Sequence, residues 1–413
     1  MEYGCIGERL THSFSRDIHA RLGSYPYELL EIARSELDLF MRKKEFRGIN
    51  VTIPYKQSVI PYLDEISPEA KAIGAVNTVV NRGGRLFGYN TDFYGIVSAL
   101  KKMGVSSLSK KKVLILGTGG TSRTAHAVAE HLGARCIFRV SRTEKEGAIS
   151  YAEAVSKHSD AEFLFNTTPV GMYPETDEAP LSLAPFSSLE GVFDAVYNPL
   201  RTRLVSEALA RGISAGGGLY MLVSQAFYAS ELFFDRKYDP SLLEAAYLET
   251  RKSKENIVLI GMPASGKSTQ GKRLAEHLGR PFFDADDELT KSVGRSIPDI
   301  FEKDGEDAFR EAESKTLLAL SKKTGCVIST GGGAVLRAEN ICRLKQNGTL
   351  IFLDRSPERL IPTPERPTAS DREAIEKRYR ERYSLYLAAA DIRIDGNGTQ
   401  NQVFDTIRKE LAL

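Results

Sequence analysis

The sequence predicts an α/β protein with more than one hydrophobic core. Short apolar runs, for example residues 112–117 and 256–261, are each followed by a stretch with helical periodicity. This alternation is typical of parallel strands joined by crossover helices. The chain has 413 residues, whereas one domain usually has about 100 to 200. We therefore expect separate parallel sheets along one chain.

A series of apolar runs predicts the strands in chain order. These runs are residues 3–7, 47–53, 112–117, 135–140, 161–166, 191–198, 256–261, 280–283, 326–330 and 349–354. Residues 75–90 form an exception, because two extended runs flank the pair Gly83-Gly84. This pattern predicts a local antiparallel hairpin.

Two changes in composition predict how the chain divides. Residues 249–255 are polar and charged, and they separate a helical stretch from a new apolar run. We interpret them as a linker between two halves. A weaker boundary near residues 101–112 divides the first half again.

The overall composition excludes several classes of partner. Lys plus Arg number 56 and Asp plus Glu number 54, so no global basic field would attract nucleic acid or an anionic membrane. The four cysteines lack CxxC spacing, which favours reduced thiols and a cytoplasmic location. The sequence contains no pattern of an export signal and no long apolar span.

The first glycine-rich loop predicts a dinucleotide site. A strand-like run precedes Gly117, Gly119 and Gly120, and a helical stretch begins near Thr121. Backbone N–H groups at such a helix start can receive a pyrophosphate, as in a Rossmann fold. Arg123 stands where a third glycine is usual, so a plain tight turn between strand and helix remains the alternative.

The end of the next predicted strand favours NADP over NAD. An NAD enzyme usually carries an acidic residue there to bind the ribose hydroxyl. This chain has Ser141, Arg142 and Thr143 instead. A guanidinium can pair with a 2′-phosphate, which a carboxylate would repel. A solvated surface arginine is the alternative.

A lysine follows another predicted strand. Asn50 and Thr52 lie at the strand end, and Pro54 predicts a helix start with Lys56 in its first turn. The positive end of a helix dipole would lower the pKa of a shielded ammonium there. An ordinary surface lysine is the alternative.

Six motifs of the first half resemble those of the shikimate dehydrogenase family, in the same order. They are His12-Ser13-Phe14-Ser15, Asn50-Val51-Thr52 with Lys56, Ala75-Val76-Asn77-Thr78, Asn90-Thr91-Asp92, Asn166-Thr167-Thr168-Pro169 and residues 218–225 (GLYMLVSQ). The resemblance implies a substrate-binding domain at 1–100, a Rossmann NADP domain at 101–216 and helices at 217–248 that return to the first domain.

The same resemblance implies a role for individual residues. Lys56 and Asp92 would form the catalytic pair for NADPH-dependent reduction of 3-dehydroshikimate to shikimate. A helix cap is the simpler reading of Asp92. The implied substrate contacts are Ser13 and Ser15 for the carboxylate, Asn50, Thr52, Asn77, Asp92 and Gln225 for ring hydroxyls, and Tyr197. Departures from the family pattern near Ser15 leave quinate open as a side substrate.

The second glycine-rich loop is a stronger signal. Gly261, Gly266, Lys267 and Ser268 follow the P-loop spacing directly between a strand-like run and a helical stretch. Ser265 and Thr269 belong to the same loop. Such a loop holds ATP phosphates with backbone N–H groups and lysine, while the serine hydroxyl suits Mg²⁺.

Further motifs of the second half resemble shikimate kinase across residues 256–413. They are Asp284-Ala285-Asp286, Phe309-Arg310 with Glu313, Gly331-Gly332-Gly333, Arg366-Pro367 and Arg382. The resemblance implies that Asp284 supports Mg²⁺, Asp286 binds the attacking hydroxyl and Arg366 stabilises the transferred phosphoryl group. The glycines would contact the substrate, and Arg310 and Arg382 would clamp its carboxylate. A helix ion pair for Arg310 with Glu313, and a plain turn for the glycines, are the alternatives.

Together the two halves predict an enzyme that reduces 3-dehydroshikimate with NADPH and then phosphorylates shikimate with ATP and Mg²⁺. One rival is a quinate/shikimate dehydrogenase fused to another small-molecule P-loop kinase. A second rival is a fusion with one catalytically silent half. The sequence leaves the oligomeric state open.

Overall fold

A computed structural model describes residues 1–10, 13–143, 147–360 and 372–413. The chain folds into two compact units, Met1–Arg251 and Lys252–Leu413. The division lies inside the predicted linker, where residues 249–254 are helical rather than irregular. Within the described residues, no helix is long and apolar enough to span a membrane.

The first part of unit 1 is built on a mixed sheet. Its elements are β1 (Tyr3–Gly7), α1 (Ser15–Leu22), β2 (Glu28–Glu31), α2 (Leu37–Lys43), β3 (Gly48–Val51), β4 (Glu65–Ile66), α3 (Pro68–Ile73), β5 (Thr78–Arg82), β6 (Arg85–Tyr89) and α4 (Thr91–Lys102). The strand order is β2-β1-β3-β5-β6-β4. Strand β5 runs antiparallel to both β3 and β6, which confirms the predicted hairpin.

The second part of unit 1 is a parallel six-stranded sheet. Its elements are β7 (Lys112–Leu116), α5 (Gly120–His131), β8 (Cys136–Ser141), β9 (Ala148–Ser150), α6 (Tyr151–Lys157), β10 (Phe163–Asn166), β11 (Gly191–Asp194), α7 (Arg203–Ala210) and β12 (Ser214–Gly216). The strand order is β12-β11-β10-β7-β8-β9. Strand β7 is central, so the loop that follows it opens at the middle of the carboxyl edge.

Two helices complete unit 1, α8 (Leu219–Phe234) and α9 (Ser241–Lys254). Apolar residues of α8, including Val223 and Phe227, pack with Phe14 and Ile18 of the first part of the unit. Helix α8 also lies along α4. The chain therefore returns to the first part after leaving the parallel sheet.

Unit 2 is a five-stranded parallel sheet with helices. Its elements are β13 (Asn256–Ile260), α10 (Lys267–Leu278), β14 (Phe282–Asp284), α11 (Ala285–Val293), α12 (Ile297–Ser321), β15 (Val327–Ser329), α13 (Ala338–Asn347), β16 (Gly348–Asp354), α14 (Arg372–Ala389), β17 (Ile392–Asp395) and α15 (Gln400–Glu410). The order is β14-β15-β13-β16-β17. The central strand β13, which is fully buried, leads into the second glycine loop.

Two sequence expectations differ from the structure. The apolar runs did not predict β2, β4, β9, β12 or β17, and each of these strands lies at the edge of its sheet. The helix predicted at Pro54 is also wrong, because the chain forms successive turns before a short 3₁₀ helix at Ile60–Tyr62. The carbonyl of Lys56 accepts the N–H of Val76 at 2.7 Å, which ties this turn to the sheet. Lys56 therefore does not lie in the first turn of a helix formed by its own segment.

Candidate active sites

A buried ion pair lies at the centre of unit 1. Lys56 Nζ contacts Asp92 Oδ2 at 2.6 Å, and the two side chains are 12% and 7% exposed. Lys56 comes from the turn after β3, and Asp92 from the first turn of α4. The cap of α4 is Asn90, which accepts the N–H of Phe93 at 3.1 Å. Asp92 therefore does not cap the helix, and its side chain contacts Lys56 instead.

A network of amide and hydroxyl groups includes Thr91, the residue that precedes Asp92. Asn77 Nδ2 donates to Thr91 Oγ1 at 3.0 Å and to Gln225 Oε1 at 3.4 Å. Asn50 Nδ2 donates to Thr78 Oγ1 at 3.1 Å. Three of the predicted hydroxyl-binding side chains thus lie in one buried region. Thr52, half-buried just after β3, donates its backbone N–H to Ile6.

The sequence did not reveal the residue that orients Asn50. Tyr27 donates its hydroxyl to Asn50 Oδ1 at 2.7 Å, so the amide nitrogen must point the other way. The Tyr27 ring stacks on His19 with centroids 3.7 Å apart. Burial lowers the pKa of His19 to about 3, so this imidazole is neutral at ordinary pH.

The predicted carboxylate contacts also lie together. The hydroxyls of Ser13 and Ser15 are 3.1 Å apart. Burial raises the pKa of Tyr197 to about 12, while a hydrogen bond with Ser13 opposes the shift. Tyr197 therefore keeps its proton and can donate a hydrogen bond. Three hydroxyl donors in one corner suit an anionic group.

A cavity of about 870 Å³ lies beside the Lys56 side chain. Its lining includes every residue that the sequence assigned to the dinucleotide: Gly117, Gly119, Gly120, Thr121, Ser141, Arg142 and Thr143. Arg123 and Arg139 line it too and were not assigned. No acidic residue contributes to the lining among the described residues. This electrostatic environment suits a phosphorylated dinucleotide such as NADP.

The glycines of this loop allow a bound dinucleotide to approach the backbone closely. Gly117 has φ +109°, and a Cβ there would lie 2.8 Å from Thr167 Oγ1. A Cβ on Gly119 would contact nothing within 4 Å, so its backbone lies open to the cavity. Lys56 Nζ lies 3.5 Å from Thr121 Oγ1, so the ion pair borders the glycine loop.

In unit 2, the second glycine loop wraps a buried lysine. Gly261 has φ +146° and Gly266 has φ +94°, both in the region that favours glycine. Lys267 Nζ donates to the carbonyls of Gly261 and Met262 at 3.0 and 2.8 Å. The Ser265 hydroxyl is buried without a partner among the described residues. Thr269 lies one position after Ser268 on α10 and is exposed.

The residues predicted to support Mg²⁺ are adjacent. Ser268 Oγ donates to Asp284 Oδ2 at 2.6 Å. The other oxygen of Asp284 accepts the N–H of Asp286 at 3.1 Å and caps α11. The described residues contain no cluster of three His, Cys, Asp or Glu that could hold a metal ion alone. A hydroxyl and one carboxylate fit Mg²⁺, which usually keeps waters and phosphate oxygens as ligands.

A buried charge cluster lies next to this loop. Arg310 Nη1 contacts Glu313 Oε2 at 2.8 Å, with side chains 9% and 4% exposed. Burial raises the pKa of Glu313, the charge of Arg310 opposes this, and Asp286 adds to the rise. The predicted helix ion pair exists, but it is buried and faces Asp286 rather than solvent.

The triple glycine is more than a plain turn. A Cβ on Gly331 would lie 2.8 Å from both Asp286 Oδ1 and Glu313 Oε1, and one on Gly333 would overlap the Arg310 guanidinium. Arg382 Nη1 donates to the Gly332 carbonyl at 3.0 Å. Tyr386, which the sequence did not single out, donates to the same carbonyl at 2.6 Å. Arg366 lies outside the described residues.

The fold and the two sites define a dinucleotide-dependent oxidoreductase joined to a P-loop kinase. Residues 5–79 match the family model "Shikimate dehydrogenase substrate binding domain". Residues 263–412 match the model "Shikimate kinase".

The relatives and solved structures cover unit 1. A shikimate dehydrogenase (NADP(+)) of Clostridium beijerinckii is 34% identical over 260 residues, 59% of this chain and 96% of that protein. Shikimate dehydrogenase 1 of Peptoclostridium difficile has 36% identity and a TM-score of 0.56, covering 60% of this chain and 97% of its own. The Thermus thermophilus shikimate 5-dehydrogenase, solved with NADP(H) and shikimate, has 32% identity and a TM-score of 0.54, covering 60% and 99%.

The chain therefore belongs to the shikimate dehydrogenase family and carries a shikimate kinase domain after it. It is a bifunctional enzyme of the shikimate pathway that uses NADP, ATP and Mg²⁺.

Proposed function

We propose that unit 1 reduces 3-dehydroshikimate to shikimate and that unit 2 phosphorylates this product to shikimate 3-phosphate. One shared feature supports the proposal. Each nucleotide site lies beside groups suited to a hydroxylated carboxylic acid: Ser13, Ser15 and Tyr197 with the amide network in unit 1, and Arg310 and Arg382 with Asp286 in unit 2. The product of the first site is thus chemically matched to the second.

In unit 1, Lys56 is the proton donor. NADPH supplies a hydride when bound, and the substrate carbonyl oxygen then gains negative charge. Lys56 stabilises that oxygen and donates a proton to it. Asp92, at 2.6 Å, holds the ammonium in place and binds the neighbouring hydroxyl. The remaining assigned residues orient the ring: Ser13, Ser15 and Tyr197 hold the carboxylate, and Asn50, Thr52, Asn77 and Gln225 hold the hydroxyls.

In unit 2, Asp286 orients the attacking hydroxyl and accepts its proton. ATP with Mg²⁺ supplies the phosphoryl group when bound. Lys267 would bind the phosphate oxygens, and Ser268 and Asp284 would hold Mg²⁺. Arg310 and Arg382 bind the carboxylate, and Gly331, Gly332 and Gly333 allow the substrate to approach. Arg366 neutralises charge on the transferred group.

The chain has four free cysteines, Cys5, Cys136, Cys326 and Cys342. Unpaired thiols are typical of a reducing compartment. We assign the enzyme to the cytoplasm on this ground.

Side-by-side assays of the two activities test the proposal. The oxidoreductase should prefer 3-dehydroshikimate to 3-dehydroquinate, and the kinase should prefer shikimate to quinate and gluconate. We expect a preference of at least about tenfold in kcat/KM in each case, because a mismatched polar substrate leaves buried groups unpaired. Equal use of the quinate series would support the broader dehydrogenase, and phosphorylation of gluconate alone would contradict the kinase assignment.

A further inference from the structure

Asp194 is a buried carboxylate that the proposed reaction does not use. It ends β11 and is 0% exposed. Burial raises its pKa to about 6, and only hydrogen bonds oppose the shift. It forms no ion pair with a described lysine or arginine. A buried charge without a cation lowers stability, so the groups that hold this carboxylate need an account.

Three donors surround the carboxylate. Asn166 Nδ2 and the N–H of Val196 each donate to Oδ1 at 3.0 Å. Thr202, the cap of α7, donates its hydroxyl to Oδ2 at 2.7 Å. Asn166 ends β10, and it pairs in register with Asp194 across the two strands. The carboxylate thus joins the ends of two strands and the start of a helix.

The carboxylate and the backbone N–H of Thr168 together fix which way the Asn166 amide points. An ionised carboxylate only accepts hydrogen bonds, so the Asn166 nitrogen must face it. The amide oxygen is then directed at Thr168, from which it accepts the N–H at 3.0 Å and the hydroxyl at 2.7 Å. Thr168 Oγ1 in turn accepts the N–H of Val170 at 3.3 Å.

This chain of hydrogen bonds ends at the dinucleotide cavity. Thr167, Thr168 and Pro169 line it. Thr167 donates to the carbonyl of Leu116 at 2.6 Å and packs over Gly117. Strands β10 and β8 lie on opposite sides of β7. A dinucleotide whose 2′-phosphate lies at Arg142, after β8, therefore extends its nicotinamide half towards the loop after β10.

We propose that Asp194 is a positioning residue of the dehydrogenase: by orienting Asn166 it holds residues 167–169 against the nicotinamide half of NADP(H). The proposal rests on the NADP-dependent function assigned above. The proposal concerns only the nicotinamide half of the dinucleotide. It can therefore be wrong even if the NADP-dependent function is correct.

The test uses the full-length chain with Asp194→Asn, which preserves the size of the side chain. We expect kcat/KM for NADPH to fall roughly 10- to 10²-fold, as for a misplaced reactant. Affinity for adenosine 2′,5′-bisphosphate, which carries only the Arg142-side half, should change less than about twofold. Asp160→Asn is the matched control, because Asp160 pairs with Lys112 at the far end of the sheet.

Thr168→Val breaks the same chain of hydrogen bonds one step later. We expect the same selective loss, and the double variant should lose little more than the worse single variant, because both remove one network. Unchanged kcat/KM in Asp194→Asn, or a parallel loss of bisphosphate affinity, overturns the proposal. If Asp194→Asn does not fold, normal NADPH kinetics in Thr168→Val overturns it instead. A wild-type enzyme inactive with NADPH would instead mark failure of the proposed function.

Discussion

The two active sites differ in how their polar side chains are satisfied. In unit 1 they hydrogen-bond one another, as in the pairs Lys56 with Asp92 and Ser13 with Ser15. In unit 2, buried polar atoms of the site residues have no partner among the described residues: Ser265 Oγ, Glu313 Oε1 and Arg382 Nε. In unit 1 such atoms, for example His19 Nε2 and Ser224 Oγ, belong to residues that are not assigned as ligand contacts. An unpaired buried polar atom lowers stability unless a ligand pairs with it.

This difference matches the chemistry of the ligands. The amides and hydroxyls of unit 1 that are assigned to ring hydroxyls can exchange one set of hydrogen bonds for another. A site for ATP and a carboxylate gains more from charged groups that become satisfied on binding. We infer that unit 1 is organised by its own side chains, whereas unit 2 depends more on its ligands.

The largest expected effect comes from breaking the ion pair of unit 1. Lys56→Ala should lower the dehydrogenase kcat by roughly 10² to 10⁴, the range for loss of a positioned acid or base. Kinase kinetics should not change. The matched control is Lys71→Ala, which removes an exposed lysine of α3. Near-normal reduction by Lys56→Ala, measured as NADPH oxidation, would remove this lysine from the mechanism.

The corresponding change in unit 2 is Lys267→Ala. We expect phosphorylation to fall roughly 10² to 10³, comparable to loss of one electrostatic donor, with dehydrogenase turnover unchanged. Lys272→Ala on the exposed side of the same helix is the control. A simultaneous fall in reduction would contradict the independence of the two chemistries.

The nucleotide ends of the two sites should also differ, because we propose that the Arg142 side chain of unit 1 binds the 2′-phosphate of NADP. Arg142→Ala should weaken NADP binding roughly 10- to 10²-fold, the value of a charged hydrogen bond. NAD binding should change little. Arg135→Ala, an exposed arginine just before β8, is the control. Equal losses for NADP and NAD would show that Arg142 does not select the cofactor.

The two units also differ in how each holds a buried carboxylate. Glu313 pairs with Arg310, whereas Asp194 has no cation among the described residues. The folded-state pKa of Asp194 is about 6, above the ordinary value of 3.8. The folded state therefore binds the proton more tightly, and this group adds stability below about pH 4 that is lost as the pH rises through about 6.

The difference in unfolding free energy between wild type and Asp194→Asn tests this sign. It should shift in favour of wild type by roughly 2 to 3 kcal/mol between about pH 7.5 and about pH 4. Urea denaturation of unit 1, followed by loss of dehydrogenase activity, measures it. A difference that is independent of pH would contradict the raised pKa.

The sequence predicted those parts of the fold in which local pattern and tertiary structure agree. Central strands such as β7 and β13 are buried on both faces and read as apolar runs. Edge strands such as β2 are largely exposed, so their sequences carry no such signal. At Pro54 the sequence pattern is typical of a helix start, but the chain forms a turn instead. A hydrogen bond from the N–H of Val76 to the carbonyl of Lys56 holds this turn against the sheet.

The candidate sites show the same limit. The P-loop residues follow a motif whose spacing alone could indicate them, whereas Lys56 was indicated by the resemblance of its motif to a family. Tyr27 donates a hydrogen bond to Asn50, which lies 23 positions away in the sequence. Tyr386 donates one to Gly332, which lies 54 positions away. Pairs so distant in sequence come together only through the fold, and no local pattern marks them. Arg139 was missed because it lies inside a strand rather than at its end.

The two units should carry out two consecutive reactions on one carbon skeleton. The direct test is a single incubation of the full-length protein with 3-dehydroshikimate, ATP, Mg²⁺ and NADPH deuterated at C4. Mass spectrometry should find shikimate 3-phosphate that carries one deuterium, formed only when both nucleotides are present. Accumulation of deuterated shikimate without phosphate, or a phosphorylated product that lacks deuterium, would contradict the account.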